Sequence, residues 1–111
     1  MLTISGLKKF YFVPGISDMR CGAHRLLQIV KYKHHLKTDN GDVFIFMSKD
    51  RRTVKMVNFE ENAYYVHQKT FADGYTFMKL KFVEDKPVYS IDWKDLVAVL
   101  ESPVIKQLTI K

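Results

Sequence analysis

The chain has 111 residues and carries 18 lysines and arginines against 12 aspartates and glutamates, which gives a formal net charge of +6. Hydrophobic residues make up 47% of the chain and charged residues 27%, which excludes global disorder because there is ample apolar surface to bury. Apolar runs such as Val43–Met47 are far shorter than the ~20 residues of a membrane-spanning helix, so we expect no membrane contact. The length predicts a single domain over residues 1–111, and the elements predicted below place its core in about 10–101.

Charge and cysteine content indicate the compartment and the kind of partner. The first residues show no long apolar segment behind a basic head, so no secretion signal is expected. A single cysteine, Cys21, cannot form a disulfide within the chain. We therefore expect the protein in the reducing cytoplasm. The excess of positive charge favours acidic partners, with nucleic acid first among them.

A short strand and a helix are predicted at the start of the chain. Phe10–Val13 is rich in aromatic residues and stops at Pro14, which is typical of a strand followed by a turn. Ser17 or Asp18 is expected to cap the helix, and a basic last turn extends it to Lys37. Its apolar residues recur at helical spacing. They are Met19, Ala23, Leu26, Leu27 and Val30.

Four strands in a row are predicted next. Val43–Met47 is almost entirely apolar, as in a strand buried on both faces, and Thr53–Phe59 is expected to pair with it as a hairpin. A turn at Glu60–Asn62 leads into a strand over Tyr64–Thr70. Thr76–Val83 alternates between apolar and charged positions, which indicates an antiparallel strand with one solvated face.

The end of the chain is predicted to be a second helix and a last short strand. Asp92 is placed to cap the helix and Asp95 lies in its first turn. Pro103 ends it, and Val104–Ile110 follows as the strand. Runs of strands without alternating helices favour an α+β fold: an antiparallel sheet of about five strands with two helices packed on it, and no parallel strand–helix–strand units. The expected core is Phe12, Met19, Leu26, Leu27, Val30, Phe44, Phe46, Val54, Met56, Leu80, Phe82, Trp93, Leu96 and Leu100.

One segment resembles a known family. Gly15–Gly22 is similar to the "Gly-x-Thr-Asp-Met-Arg-Lys-Gly" opening of the TnpB-type accessory proteins, the second-open-reading-frame products of bacterial insertion sequences of the insertion sequence 66 family. The resemblance continues at matching distances to about Glu101. The further matching residues are Val43–Phe46, Val54–Val57, Lys69, Gly74, Phe77, Leu96 and Leu100, and Phe59 and Glu60 fall where the family usually has Trp-Asp. The chain departs from the family pattern at Cys21, Arg52, Phe59 and Thr70.

The resemblance implies a function in transposition. It implies a non-enzymatic accessory protein that acts with a separate, larger transposase, with the DNA of the element, or with both. A general nucleic-acid-binding module outside transposition is the alternative that charge and aromatic content support. A small metal-dependent nuclease is the third candidate. The sequence pattern does not indicate whether the chain is a monomer or an oligomer.

Catalytic chemistry finds little support in the residue pattern. A nuclease of the three-carboxylate type needs converging acids that hold two metal ions, but most carboxylates here lie in predicted turns or caps. Cys21 and His24 lie three residues apart on the predicted helix, yet nothing completes a zinc site or a catalytic group. We therefore expect no enzymatic activity, no catalytic residue, no metal and no cofactor.

Basic residues supply the candidate contacts to nucleic acid or to a protein partner. Lys79 and Lys81 share one face of their predicted strand, and Lys55 and Lys69 would lie near them if the strands pair in order. Tyr65, His67 and Phe77 are interleaved with these lysines. The candidate contacts are Arg20, Arg51, Arg52, Lys55, Lys69, Lys79 and Lys81. Lysines that solvate a sheet face or protect its edge explain the same pattern without a ligand, and a local pair with a carboxylate does so for Arg20.

Overall fold

The elements of the fold follow the order expected from the sequence, with one further strand. The computed structural model describes residues 9–72, 74–101 and 107–110. These residues form β1 (Phe10–Phe12), α1 (Ala23–His34), β2 (Val43–Met47), β3 (Thr53–Glu60), β4 (Ala63–Thr70), β5 (Lys79–Phe82), β6 (Tyr89–Ile91), α2 (Trp93–Glu101) and β7 (Gln107–Ile110). No helix within the described ranges is both long enough and apolar enough to cross a bilayer.

A five-stranded sheet in the order β4-β3-β2-β1-β6 carries the two helices. The β2–β3 hairpin pairs Phe44 with Val57, and the β3–β4 hairpin pairs Asn58 with Tyr65. Both hairpins are antiparallel, as is the pair of β1 with β6. The α+β class with a mostly antiparallel sheet and two helices is therefore confirmed.

One pair of strands in this sheet is parallel, contrary to expectation. β1 runs alongside β2 in the same direction, with Phe10 opposite Val43 and Phe12 opposite Ile45. The reason is the position of α1 between them, since a helix is the usual connection that returns the chain to the start of a parallel neighbour. The sheet thus contains one strand–helix–strand unit at its centre.

The expected pairing of β5 with β4 is wrong. β5 instead pairs in parallel with β7, with Leu80 opposite Leu108, in a separate two-stranded sheet. The strand covers only Lys79–Phe82, and Phe77 and Met78 before it are both buried. Two successive buried residues break the alternation on which the longer strand was predicted. β6, only three residues long, was not predicted from the sequence.

The two helices differ in how they begin. α1 starts at Ala23, later than expected, with Gly22 at its N-cap and no side-chain capping bond. Neither Ser17 nor Asp18 is the cap. α1 ends at His34 rather than Lys37, because His35 turns into the left-handed region with φ of 56°. In α2 the prediction is confirmed, since an oxygen of Asp92 accepts a hydrogen bond of 2.8 Å from the backbone amide of Asp95.

Apolar side chains pack on both faces of the five-stranded sheet. α1 covers one face through Leu26 and Val30, which pack in the same cluster as Phe44. α2 lies on the opposite face through Leu96 and Val99. The expected core residues are buried at Phe12, Leu26, Leu27, Val30, Phe44, Phe46, Val54, Met56 and Leu96, and partly buried at Met19, Leu80, Phe82 and Leu100. The side chain of Trp93 lies outside the described part of the structure.

Candidate functional site

Three segments meet around a cleft of about 410 Å³. The segments are the loop after β1, the loop between β2 and β3, and strand β5. Their side chains line the cleft at Phe12, Pro14, Gly15, Ser17, Met47, Ser48, Lys49, Arg51, Lys79, Leu80 and Phe82. Lys49, Arg51 and Lys79 supply its charge, and none of the described residues that line it carries a carboxylate. We call this set of residues the basic cleft.

The loop between β2 and β3 is held in one conformation by its own polar groups. The Ser48 hydroxyl donates to Asp50 over 2.7 Å and accepts from the Thr53 amide over 3.1 Å. Asp50 also accepts from the amide of Arg52 at 3.0 Å. The bond from Ser48, followed by that from the Arg52 amide, holds the pKa of the Asp50 carboxyl below its ordinary value. Lys49 therefore extends from a loop whose backbone is fixed.

Arg51 connects this loop to the segment that enters β5. Its backbone lies in the left-handed region with φ of 59°. The carbonyl of Arg51 accepts a hydrogen bond of 2.7 Å from the amide of Phe77. The Nε atom of Arg51 donates to the Phe77 carbonyl at 3.3 Å. These two bonds bring β5, and with it Lys79, to the same cleft as Lys49.

The floor of the basic cleft is apolar and partly aromatic. Phe82 stacks against Phe12 with ring centroids 5.6 Å apart, and against Tyr89 with centroids 3.9 Å apart. Leu80 packs against the same cluster. Cations at the rim of an apolar depression can hold a phosphate group while the floor contacts a sugar or base.

Arg20 lies in a second depression of about 420 Å³ that adjoins the basic cleft, since Ser17, Ser48 and Lys49 line both. The guanidinium group of Arg20 pairs with Asp18 through Nε–Oδ1 at 3.0 Å and Nη2–Oδ2 at 3.1 Å. The side chain of Arg20 is 92% exposed. Its side-chain and backbone hydrogen bonds lower the pKa of the Asp18 carboxyl. Arg20 is thus oriented by a local pair at the entrance to the site.

Three of the other candidate residues support the fold instead of lining the cleft. Lys55 is only 8% exposed, and its ammonium group donates to the Cys21 carbonyl at 2.6 Å. Lys69 donates to the carbonyl of Leu100, near the end of α2, at 2.8 Å. Arg52 donates to the Phe71 carbonyl at 3.1 Å. Backbone carbonyls thus hold these three side chains against the protein.

The candidate residues are therefore not one surface. Arg51 and Lys79 meet in the basic cleft, and Arg20 adjoins it. Lys81 is exposed on β5 but does not line the cleft. The expectation that Lys55 and Lys69 lie beside Lys79 and Lys81 through in-order strand pairing is wrong, because β5 is not a neighbour of β4.

Lys49 is a site residue that sequence reasoning missed. It occupies the loop between two predicted strands, next to Asp50 and close to Arg51 in sequence. A cation at the tip of a hairpin loop beside other cations was the available signal.

The histidine, cysteine and carboxylate side chains of the described residues have structural positions. Within the described ranges, no group of three or more histidine, cysteine, aspartate or glutamate side chains is placed to hold a metal ion. Cys21 precedes α1, and His24 lies on the helix with its ring 5.6 Å from that of Tyr64. The carboxylates of Asp18, Asp50 and Asp92 each accept hydrogen bonds that fix a turn or a helix start.

Comparison with known protein families places the chain in one of them. A family model described as IS66 Orf2-like protein matches residues 8–109 of the chain. No curated protein and no solved structure matches.

Proposed function

Because the chain belongs to the IS66 Orf2-like protein family, we propose that it is a non-enzymatic accessory protein of insertion-sequence transposition. It acts beside a separate transposase and contacts the DNA of the element through the basic cleft. The observation that carries this proposal is the convergence of Lys49, Arg51 and Lys79 on one apolar depression.

The charge of the cleft supports contact with a phosphate backbone. Lys49 and Arg51 lie in the β2–β3 loop and Lys79 lies on β5, and hydrogen bonds between Arg51 and Phe77 hold these two segments together. The backbone that carries these cations is therefore ordered before a phosphate binds, which lowers the entropy cost of binding. Arg20 at the adjoining depression is proposed as a further contact, because its exposed guanidinium has N–H donors beyond the two that bond to Asp18.

The structural roles of the carboxylates support a non-enzymatic function. Asp18 is paired with Arg20, Asp50 closes the β2–β3 loop and Asp92 caps α2. Acids committed to turns and caps are not arranged for two-metal chemistry, which requires them to converge on the ions.

A salt series tests the DNA contact. Each phosphate contact adds about −0.9 to the slope of log affinity plotted against log salt concentration. The double variant with Lys49→Gln and Lys79→Gln should therefore have a slope that is flatter by about two units. Lys81→Gln is the matched control, because Lys81 lies on the same strand as Lys79 outside the cleft. The measurement is equilibrium binding to duplex DNA from the end of the element, at several salt concentrations.

Two results would contradict the proposal. A parent protein whose affinity does not depend on salt makes no phosphate contact of this kind. An equal change in slope for Lys81→Gln and for the double variant would show that the phosphate contacts lie outside the basic cleft. A pull-down with the transposase in the same preparations then decides whether protein assembly is the function.

A further inference from the structure

Strand β4 forms one edge of the five-stranded sheet. Within the described ranges its strand partner is β3 alone. The amide of Phe71 donates to the Arg52 carbonyl at 2.8 Å, in continuation of the β3–β4 register. Odd-numbered residues of β4 therefore direct their backbone groups at β3. Backbone directions alternate along an antiparallel pair, so Tyr64, Val66 and Gln68 direct their N–H and C=O groups away from the sheet.

Among the described residues, this edge lacks most of the features by which proteins usually prevent strand pairing. β4 is eight residues long and contains no proline. Its one charged side chain at neutral pH is Lys69, whose ammonium group is bonded to the Leu100 carbonyl. Tyr64 is 46% exposed and Val66 is 47% exposed on the face that carries α1. A long, nearly uncharged edge with exposed apolar residues is a template for another strand.

We propose that β4 pairs in antiparallel orientation with β4 of a second copy of this chain, which joins two five-stranded sheets into one. A two-fold axis normal to the sheet keeps the α1 face of each copy on the same side. The register then places Val66 opposite Val66 and Tyr64 opposite Gln68 of the second copy. All three residues direct their backbone groups outward, so the ladder of hydrogen bonds continues across the axis.

Charge along the edge favours the second copy and fixes the orientation. The turn before β4 carries Glu61, which is exposed. The other end of β4 carries Lys69, with its ammonium group 4.7 Å from the ring centroid of Phe71. In the proposed register, Glu61 of one copy falls opposite Phe71 of the other, next to Lys69. Parallel pairing would instead bring like charges together, which is unfavourable.

The pairing is independent of the proposed DNA contact, since none of the residues that line the basic cleft belongs to β4. Sedimentation or light scattering under reducing conditions tests it, at about 100 µM chain, where a micromolar Kd gives mostly dimer. We expect a mass of twice 13.1 kDa for the parent protein. Val66→Lys places two like charges at the axis and should halve that mass.

Val83→Lys is the matched control, because Val83 is 66% exposed and lies outside β4. It should leave the parent mass unchanged. Val66→Glu alone should also be monomeric, and an equimolar mixture of Val66→Lys with Val66→Glu should recover the dimer. This recovery separates loss of pairing from loss of folding.

Amide hydrogen exchange provides a measurement that requires no variant. The amides of Tyr64, Val66 and Gln68 should be protected at high concentration and exchange faster on dilution. A monomeric parent at the stated concentration overturns the proposal. So does a Val66→Lys protein that keeps the parent mass, or a pattern of exchange at these amides that does not depend on concentration.

Discussion

Lys55 shows how a single side chain holds a loop in place. Lys55 lies opposite Phe46 in the β2–β3 ladder, on the sheet face that packs against α1. From there the ammonium group reaches the carbonyls of Cys21 at 2.6 Å and Met19 at 3.4 Å. Both carbonyls belong to the loop between β1 and α1. A charged donor thus satisfies backbone acceptors in the segment where α1 has no side-chain cap.

Replacement of Lys55 should lower the stability of the fold without changing DNA binding. Lys55→Met keeps the aliphatic stem but removes the donor, and it should lower the free energy of unfolding by about 1–3 kcal/mol. Urea denaturation measures this. The control is Lys81→Met, at an exposed position where a change within about 0.5 kcal/mol is expected. Equal stabilities for the two variants, or a flatter salt dependence of DNA binding in Lys55→Met, would contradict this role.

Single residues also show why the sequence predicts only part of the candidate site. Arg51 and Lys79 could be singled out by charge, but their meeting depends on hydrogen bonds to Phe77, 26 residues from Arg51. Lys55 alternates along its strand like any solvated lysine. The loop before α1 contacts its ammonium group, and the local sequence around Lys55 does not contain that information.

At the scale of elements, the two helices contrast in their N-termini. In α2 the side chain of Asp92 accepts from the Asp95 amide, and its carbonyl accepts from Leu96 at 3.0 Å. In α1 the corresponding position is Gly22, which has no side chain to accept a bond. α2 is only nine residues long, and a helix of that length needs its cap and its packing to persist.

Asp92→Ala should therefore lower the stability of the protein by about 1 kcal/mol, the usual cost of losing an N-cap side chain. Thermal or urea unfolding followed by circular dichroism measures it. Asp85→Ala removes the same group from an exposed turn and serves as the control, with an expected change within about 0.5 kcal/mol. An effect no larger than that of the control would mean that the cap contributes nothing.

Elements were predicted well where the pattern was local and poorly where it was not. Val43–Met47 was predicted with its exact bounds, because a run of five apolar residues needs no partner to be recognised. The cap at Asp92 is also predictable from local sequence, because an aspartate directly before an apolar helical stripe is a typical N-cap. β5 was misplaced, because its partner Gln107–Ile110 is far along the chain. The parallel direction of β1 depends on where α1 returns the chain, which composition does not encode.

At the scale of the whole molecule, one sheet separates two apolar clusters. Val30 belongs to the cluster under α1, and Val99 to the cluster under α2. Neighbouring residues of β2 contribute to both, since Phe44 faces α1 and Ile45 faces α2. Because the same strands form both cores, we expect the molecule to unfold as one cooperative unit.

Paired valine variants test this cooperativity. Val30→Ala and Val99→Ala should each cost about 1–2 kcal/mol, because the burial that is lost exceeds the gain in helix propensity. The costs should add within about 0.5 kcal/mol in the double variant, since the sites lie on opposite faces. Urea unfolding of the parent protein, the two single variants and the double variant gives the double-mutant cycle. Two separate transitions, each moved by one variant, would show that the faces unfold independently.

The interior position of β1 in the sheet has a consequence for synthesis of the protein. β1 is made early, yet one of its two neighbours is β6, whose Ile91 pairs with Phe10. During translation the hairpins of β2, β3 and β4 can form first, because their contacts are local. The far side of β1 then remains an open, aromatic edge on the nascent chain until all of Tyr89–Ile91 has left the ribosome. The three-residue strand β6 thus ends the period in which β1 can pair with a strand of another chain.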